Sequence, residues 1–118
     1  MSNIISDIYT ALTTLQIPAQ IGDYQTTSAL PDTYVVIIPL YENFETADDT
    51  PDFDVQQAST EVYTKGMWRS TVKSICDECI SMGLLVHERR YIGRNEETGY
   101  FQYSITFENA YDLELQGD

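Results

Sequence analysis

Cys76 and Cys79 form a C-x-x-C, the spacing that serves thiol–disulfide exchange when the first cysteine opens a helix and the helix dipole lowers its pKa. Here both fall midway along a helical pattern and on its apolar stripe, so they read as buried core thiols. A zinc site built on the pair needs two further ligands. The only histidine is His87, so a carboxylate or a second subunit would have to complete the set. As a general base His87 has no partner: no serine stands in a nucleophile-elbow context and no cysteine is spaced for a triad. It reads as a packing or surface residue. The carboxylate pairs Asp48, Asp49 and Glu96, Glu97 fall in expected loops and turns, without the unequal buried environments that acid and base roles need. Gly22, Gly66, Gly83, Gly93, Gly99 and Gly117 are too dispersed for a phosphate loop or a dinucleotide fingerprint. The expectation is a protein that is not an enzyme, with no cofactor and no metal.

The stretch 65–83 positions the two cysteines. Trp68, Val72, Ile75, Cys76, Cys79 and Ile80 recur at helical spacing, with Arg69, Lys73, Asp77 and Glu78 on other faces and Gly83 where a helix would end. A first helix is expected over 3–15, where Ile4, Ile5, Ile8, Leu12 and Leu15 share a face behind Ser2 or Asn3 as N-cap. Residues 17–21 read as a short edge strand, because Pro18 is tolerated only at an edge or a strand start. The run 34–40 is apolar on both faces, as in a covered central strand. The segment 55–64 is a weaker strand. Residues 84–92 and 100–109 form a C-terminal hairpin whose second strand alternates Phe101, Tyr103, Ile105 and Phe107 with polar residues. Two segments are expected to be irregular: an acidic loop at 42–54, and a frayed acidic tail at 110–118. The loop carries Glu42, Glu45, Asp48, Asp49, Asp52 and Asp54 and no basic residue, yet lacks the glycine and glutamate positions of an EF-hand. The resulting fold class is α+β: one small domain, 1–118, with a mixed or antiparallel sheet covered by two helices.

The chain has 118 residues, nine tyrosines and 42% hydrophobic content, enough for one core and no second domain. No run approaches the roughly 20 apolar residues that span a bilayer, and the N-terminus lacks a signal-peptide pattern, so no membrane is expected and a cytoplasmic start is. A net charge of −13 argues against binding that tracks nucleic-acid phosphates. The charge is unevenly distributed. Lys65, Arg69, Lys73, Arg89, Arg90 and Arg94 are all six basic residues, and only Asp77, Glu78 and Glu88 oppose them between 65 and 94. Six against three leaves that window at +3 and the rest of the chain at −16. Such polarity suits contact between the positive part of one molecule and the negative part of another.

The order helix, strand pair, long loop, strand, helix, hairpin resembles the tail terminator group among the tail-completion and neck proteins of long-tailed bacteriophages. Four stretches carry the resemblance: the helix from Ile4 to Leu15, the run Pro31-Asp32-Thr33-Tyr34-Val35-Val36, the aspartate-containing loop before Val62-Tyr63-Thr64-Lys65, and the hairpin from Arg90-Tyr91 to Thr98-Gly99-Tyr100. The resemblance implies a non-enzymatic virion protein that forms a ring, commonly of six subunits, ending the tail tube and joining it to the head. The implied partners are further copies of itself, the tail tube protein and head-neck connector proteins. Genome DNA would pass through the ring without specific binding. The implied location is the neck or tail end of the virion, after assembly from the host cytoplasm. The residues expected to meet a neighbouring subunit or partner are Lys65, Arg69, Lys73, Arg89, Arg90 and Arg94 on one side and Glu45, Asp48, Asp49 and Asp52 on the other. Two other readings compete: a head-side connector or stopper protein of the neck, and an acidic DNA mimic that inhibits a nucleic-acid-binding protein.

Overall fold

Asn3 opens the first helix, α1 (Ile4–Thr14). Its side chain accepts from the Ser6 amide at 2.8 Å while the Ser6 hydroxyl accepts from the Asn3 amide, a reciprocal cap that satisfies donors the helix leaves free. There follow β1 (Ala19–Ile21), β2 (Thr33–Ala47), β3 (Thr50–Thr64), α2 (Trp68–Ser81), β4 (Leu85–Arg94) and β5 (Phe101–Asp112). These come from a computed structural model that describes residues 3–47 and 50–112, with the backbone alone for 41–47 and 50–52. The strands form one mixed sheet in the order β1-β2-β3-β5-β4, with β1 parallel to β2 and the remaining pairs antiparallel. The chain is thus an α+β domain with the C-terminal hairpin expected from its alternation.

Both helices lie on the same face of the sheet. α1 buries Ile4, Ile8, Ala11 and Leu12, and α2 buries Val72, Ile75, Cys76 and Cys79, against Val35 and Ile37 of β2, Ala58 and Val62 of β3, and Ile105 and Phe107 of β5. Strand register explains the selection. Val35 lies opposite Val62 and Val62 opposite Tyr103, so alternate residues of three strands point together toward the helices. α2 ends as the sequence expects: Gly83 takes φ +95°, its amide bonds the Ile80 carbonyl, and the Leu84 amide bonds the Cys79 carbonyl. The end of α1 has the same geometry with a less suitable residue, since Gln16 occupies the left-handed position at φ 60°. Among the described residues no helix is long and apolar enough to cross a membrane.

Two expectations are corrected. Residues 42–47 and 50–54 are not loop but the paired ends of β2 and β3, with Glu42 opposite Gln56, Asn43 opposite Val55, Phe44 opposite Asp54 and Glu45 opposite Phe53. A cross-strand ladder satisfies both backbones whatever the side-chain charge, so an acidic run with interspersed β-formers can continue a strand pair. Asp48 and Asp49 lie outside the described residues. The tail begins later than expected: Ala110 to Asp112 belong to β5, where Tyr111 is buried and donates its hydroxyl to Asp7 Oδ2 at 2.7 Å. Residues 113–118 lie outside the described residues.

Among the described residues the last rung of β5 joins Asp112 to Phe53, and beyond it β2 and β3 continue as a two-stranded ribbon through Thr46 opposite Pro51 and Ala47 opposite Thr50. The molecule measures 54 × 28 × 22 Å with a radius of gyration of 15.5 Å. A compact chain of this length would have about 13.5 Å. The excess agrees with a projecting ribbon.

Candidate assembly interface

α2 carries two kinds of surface. Inward, Cys76 and Cys79 are 5% and 0% exposed and free of any disulfide. Burial pushes the Cys79 thiol up to about 12, with the neighbouring Cys76 adding to it. Burial raises Cys76 as well, partly offset by the Arg89 guanidinium beside it. Both pack in the core, and burial favours the protonated form, which is the poorer nucleophile. Among the described residues no three His, Cys, Asp or Glu side chains converge to hold a metal ion. His87 is exposed on β4, with Nδ1 3.9 Å from Glu108 Oε1.

Outward, α2 presents Arg69 and Lys73 one turn apart. The Arg69 guanidinium lies 4.8 Å from the Trp68 ring centre. Trp68 in turn stacks on Tyr91 at 5.0 Å and on Tyr103 at 5.4 Å. Lys73 Nζ meets Asp77 Oδ2 at 2.6 Å on the open surface, and this hydrogen bond raises the lysine pKa. Strand β4 adds the third cation through an irregularity of its ladder. A register shift between Val86 and Glu88 places Arg89 opposite Ile105, whose side chain faces the helices, so Arg89 turns toward α2. Trp68, Arg69, Val72, Lys73, Arg89 and Tyr103 thereby line one groove of about 250 Å³ between α2 and the edge strand.

The remaining basic residues are split around that edge. Arg90 lies opposite Ser104, so it faces away from the helices. Arg94 sits 5.7 Å over Phe101 after a second register shift between Tyr91 and Gly93. Lys65 Nζ lies 4.9 Å over Tyr100. The six cations therefore wrap β4 and the start of α2, and only Arg69, Lys73 and Arg89 converge. On the opposing side, Glu45 and Asp52 belong to the β2–β3 ribbon by their backbone positions.

Sequence reasoning missed the helix-free face of the sheet. There Tyr34 stacks on Tyr63 at 4.9 Å and meets Tyr24 and Tyr100, whose hydroxyl donates to the Pro31 carbonyl at 2.6 Å. Burial raises the pKa of Tyr34 and Tyr63. Leu30, Tyr34, Tyr63, Ile92, Arg94 and Tyr100 contribute to a cavity of about 400 Å³. Next to it Glu61 accepts from Ser59, from Ser104 at 2.6 Å and from Gln102 at 3.3 Å. The nine tyrosines were a compositional signal for such a cluster, but the cross-strand register that assembles it is not written in composition.

No protein-family model matches the chain, and no curated protein matches it. Among solved structures it is similar to a chain from the virion of a native gene transfer agent particle, at a TM-score of 0.58 and 14% identity, covering 92% of this chain and 94% of that one. At that identity the likeness is one of fold, and it extends over nearly the whole length of both chains.

Proposed function

We propose that this chain is a structural, non-enzymatic virion protein of a phage or phage-like particle, and that it forms a ring ending the tail tube and joining it to the head-neck connector. The fold shared with a virion chain over nearly the full length of both carries the virion reading. The ring reading rests on surface chemistry. The basic residues gather on α2 and β4, and an acidic two-stranded ribbon leaves the far part of the sheet, so the two complementary surfaces of one molecule differ. Contacts between unlike surfaces of identical subunits are heterologous, and they close into rings when the rotation per subunit divides a full turn.

Lys65, Arg69, Lys73, Arg89, Arg90 and Arg94, with Glu45, Asp48, Asp49 and Asp52, are the residues proposed to meet neighbouring subunits, the tube or the connector. The partners are other copies, the tail tube protein and connector proteins, at the neck of the virion. An acidic channel wall would let the genome slide through without adhering. The test is size-exclusion chromatography with light scattering at low salt, with and without tail tubes. The expected result is a species of about six times the 13.5 kDa subunit mass, free in solution or bound to tubes. A chain that stays monomeric and ignores the tubes, while binding a nucleic-acid-binding protein, would instead support an acidic DNA mimic.

A further inference from the structure

We infer that the groove between α2 and β4 is the seat of the acidic β2–β3 ribbon of a second copy of this chain, an assignment that rests on the ring reading above and gives it a specific contact. The groove is cationic, with Arg69, Lys73 and Arg89 around a floor of Trp68, Val72 and Tyr103. Its acid is Asp77, whose pairing with Lys73 is solvent-exposed, and such pairs are readily exchanged because water and salt screen them. Arg69, over the Trp68 ring, and Arg89, beside the Cys76 thiol, are both exposed.

The ribbon has the complementary chemistry. Residues 42–54 hold no cation and six carboxylates, of which Asp54 is buried and accepts from Gln56, leaving Glu42, Glu45, Asp48, Asp49 and Asp52 for a partner. At the last described rung of β5, Phe53 is 46% exposed, a large apolar side chain next to Asp52. Aromatic anchors flanked by charge are the side chains that dominate protein interfaces, and Trp68 with Tyr103 offers a matching aromatic floor.

Geometry makes the contact intermolecular. Arg89 sits on the rung of Ile105 and Thr60, whereas the described end of the ribbon is Thr50. Ten residues of extended chain separate these rungs, about 33 Å at the usual strand rise, so a rigid ribbon points away from its own groove. β5 also stands between the ribbon strands and β4 in the sheet. A copy cannot fill its own groove, and the ribbon of the next copy can.

The test uses two variants of the full chain, Arg69→Glu with Arg89→Glu in the groove and Glu45→Lys with Asp52→Lys in the ribbon, followed by sedimentation at high concentration and low salt. Far-UV circular dichroism and the urea midpoint check that each variant is folded. Each variant alone should associate at least about tenfold more weakly than the native chain. The two mixed should recover assembly, because lysine ribbons then face glutamate grooves and the native surfaces still face each other. Native-like association of either variant, or a mixture that stays apart, overturns the assignment. So does a native chain that is monomeric throughout. The ring reading fails separately, if the native chain neither assembles nor binds tail tubes. A variant mixture that stays apart while the native chain forms rings would therefore remove the ribbon contact and leave the ring.

Discussion

Thr60 sits at 0% exposure in the centre of β3, and its hydroxyl has no hydrogen-bond partner. A buried hydroxyl without a partner loses its water and gains nothing in exchange, so Thr60→Val, which keeps the branched shape, should stabilise the fold by about 1 kcal/mol in urea titration. Gln16 is a second local cost. It holds the left-handed position that ends α1, where a side chain is strained, so Gln16→Gly should gain about 0.5–1 kcal/mol in the same measurement despite the greater freedom of glycine in the unfolded chain. Cys79 gives a pH dependence. Its thiol rises from 9.0 to about 12 in the folded state, so the native chain holds this proton more tightly than the unfolded one. Stability from this source is complete below about pH 9 and is lost as pH climbs toward 12. The raised hydroxyls of Tyr34, Tyr63 and Tyr111 act in the same direction. The urea midpoint should therefore hold through neutral pH and fall above about pH 9, and a midpoint rising in that range would contradict the burial described.

At the scale of elements, sequence was most legible where one periodicity dominates. The apolar stripe that includes Cys76 and Cys79 and the glycine at 83 place α2, and the alternation from Phe101 to Phe107 places β5. The acidic stretch defeated the same reading because six carboxylates suggested a loop, while strand formation at 42–47 and 50–54 depends on pairing with a partner that composition does not reveal. The bulges of β4 were equally hidden. Without the shift between Val86 and Glu88, Arg89 and Arg90 would exchange faces, and Glu88 instead of Arg89 would stand opposite Ile105. The independence of the ribbon from the core is itself testable. Removing residues 46–51 and closing the hairpin with a two-residue turn deletes rungs beyond the last contact with β5. The urea midpoint should shift by less than about 1 kcal/mol equivalent, whereas assembly should be lost. A deletion variant that fails to fold would show that the ribbon belongs to the folding core.

For the whole molecule, the fold shared with a chain of a virion particle, the segregated charge and the projecting acidic ribbon are what support the proposed head-to-tail subunit. The net negative charge works against association of isolated copies, and on the proposed reading the basic α2–β4 region is the place where a neighbour docks. Association should weaken steeply with salt, since the surfaces concerned are exposed and charged. A salt-independent association constant would point instead to the groove lined by Ile5, Tyr9, Ile21 and Pro39 beside α1 as the contact. The most direct measurement of the central claim is negative-stain imaging of tail tubes, assembled without this chain and then incubated with it. The account predicts a ring of density at one end of each tube and recovery of head joining. Bare tube ends after incubation with folded protein at high concentration would contradict it.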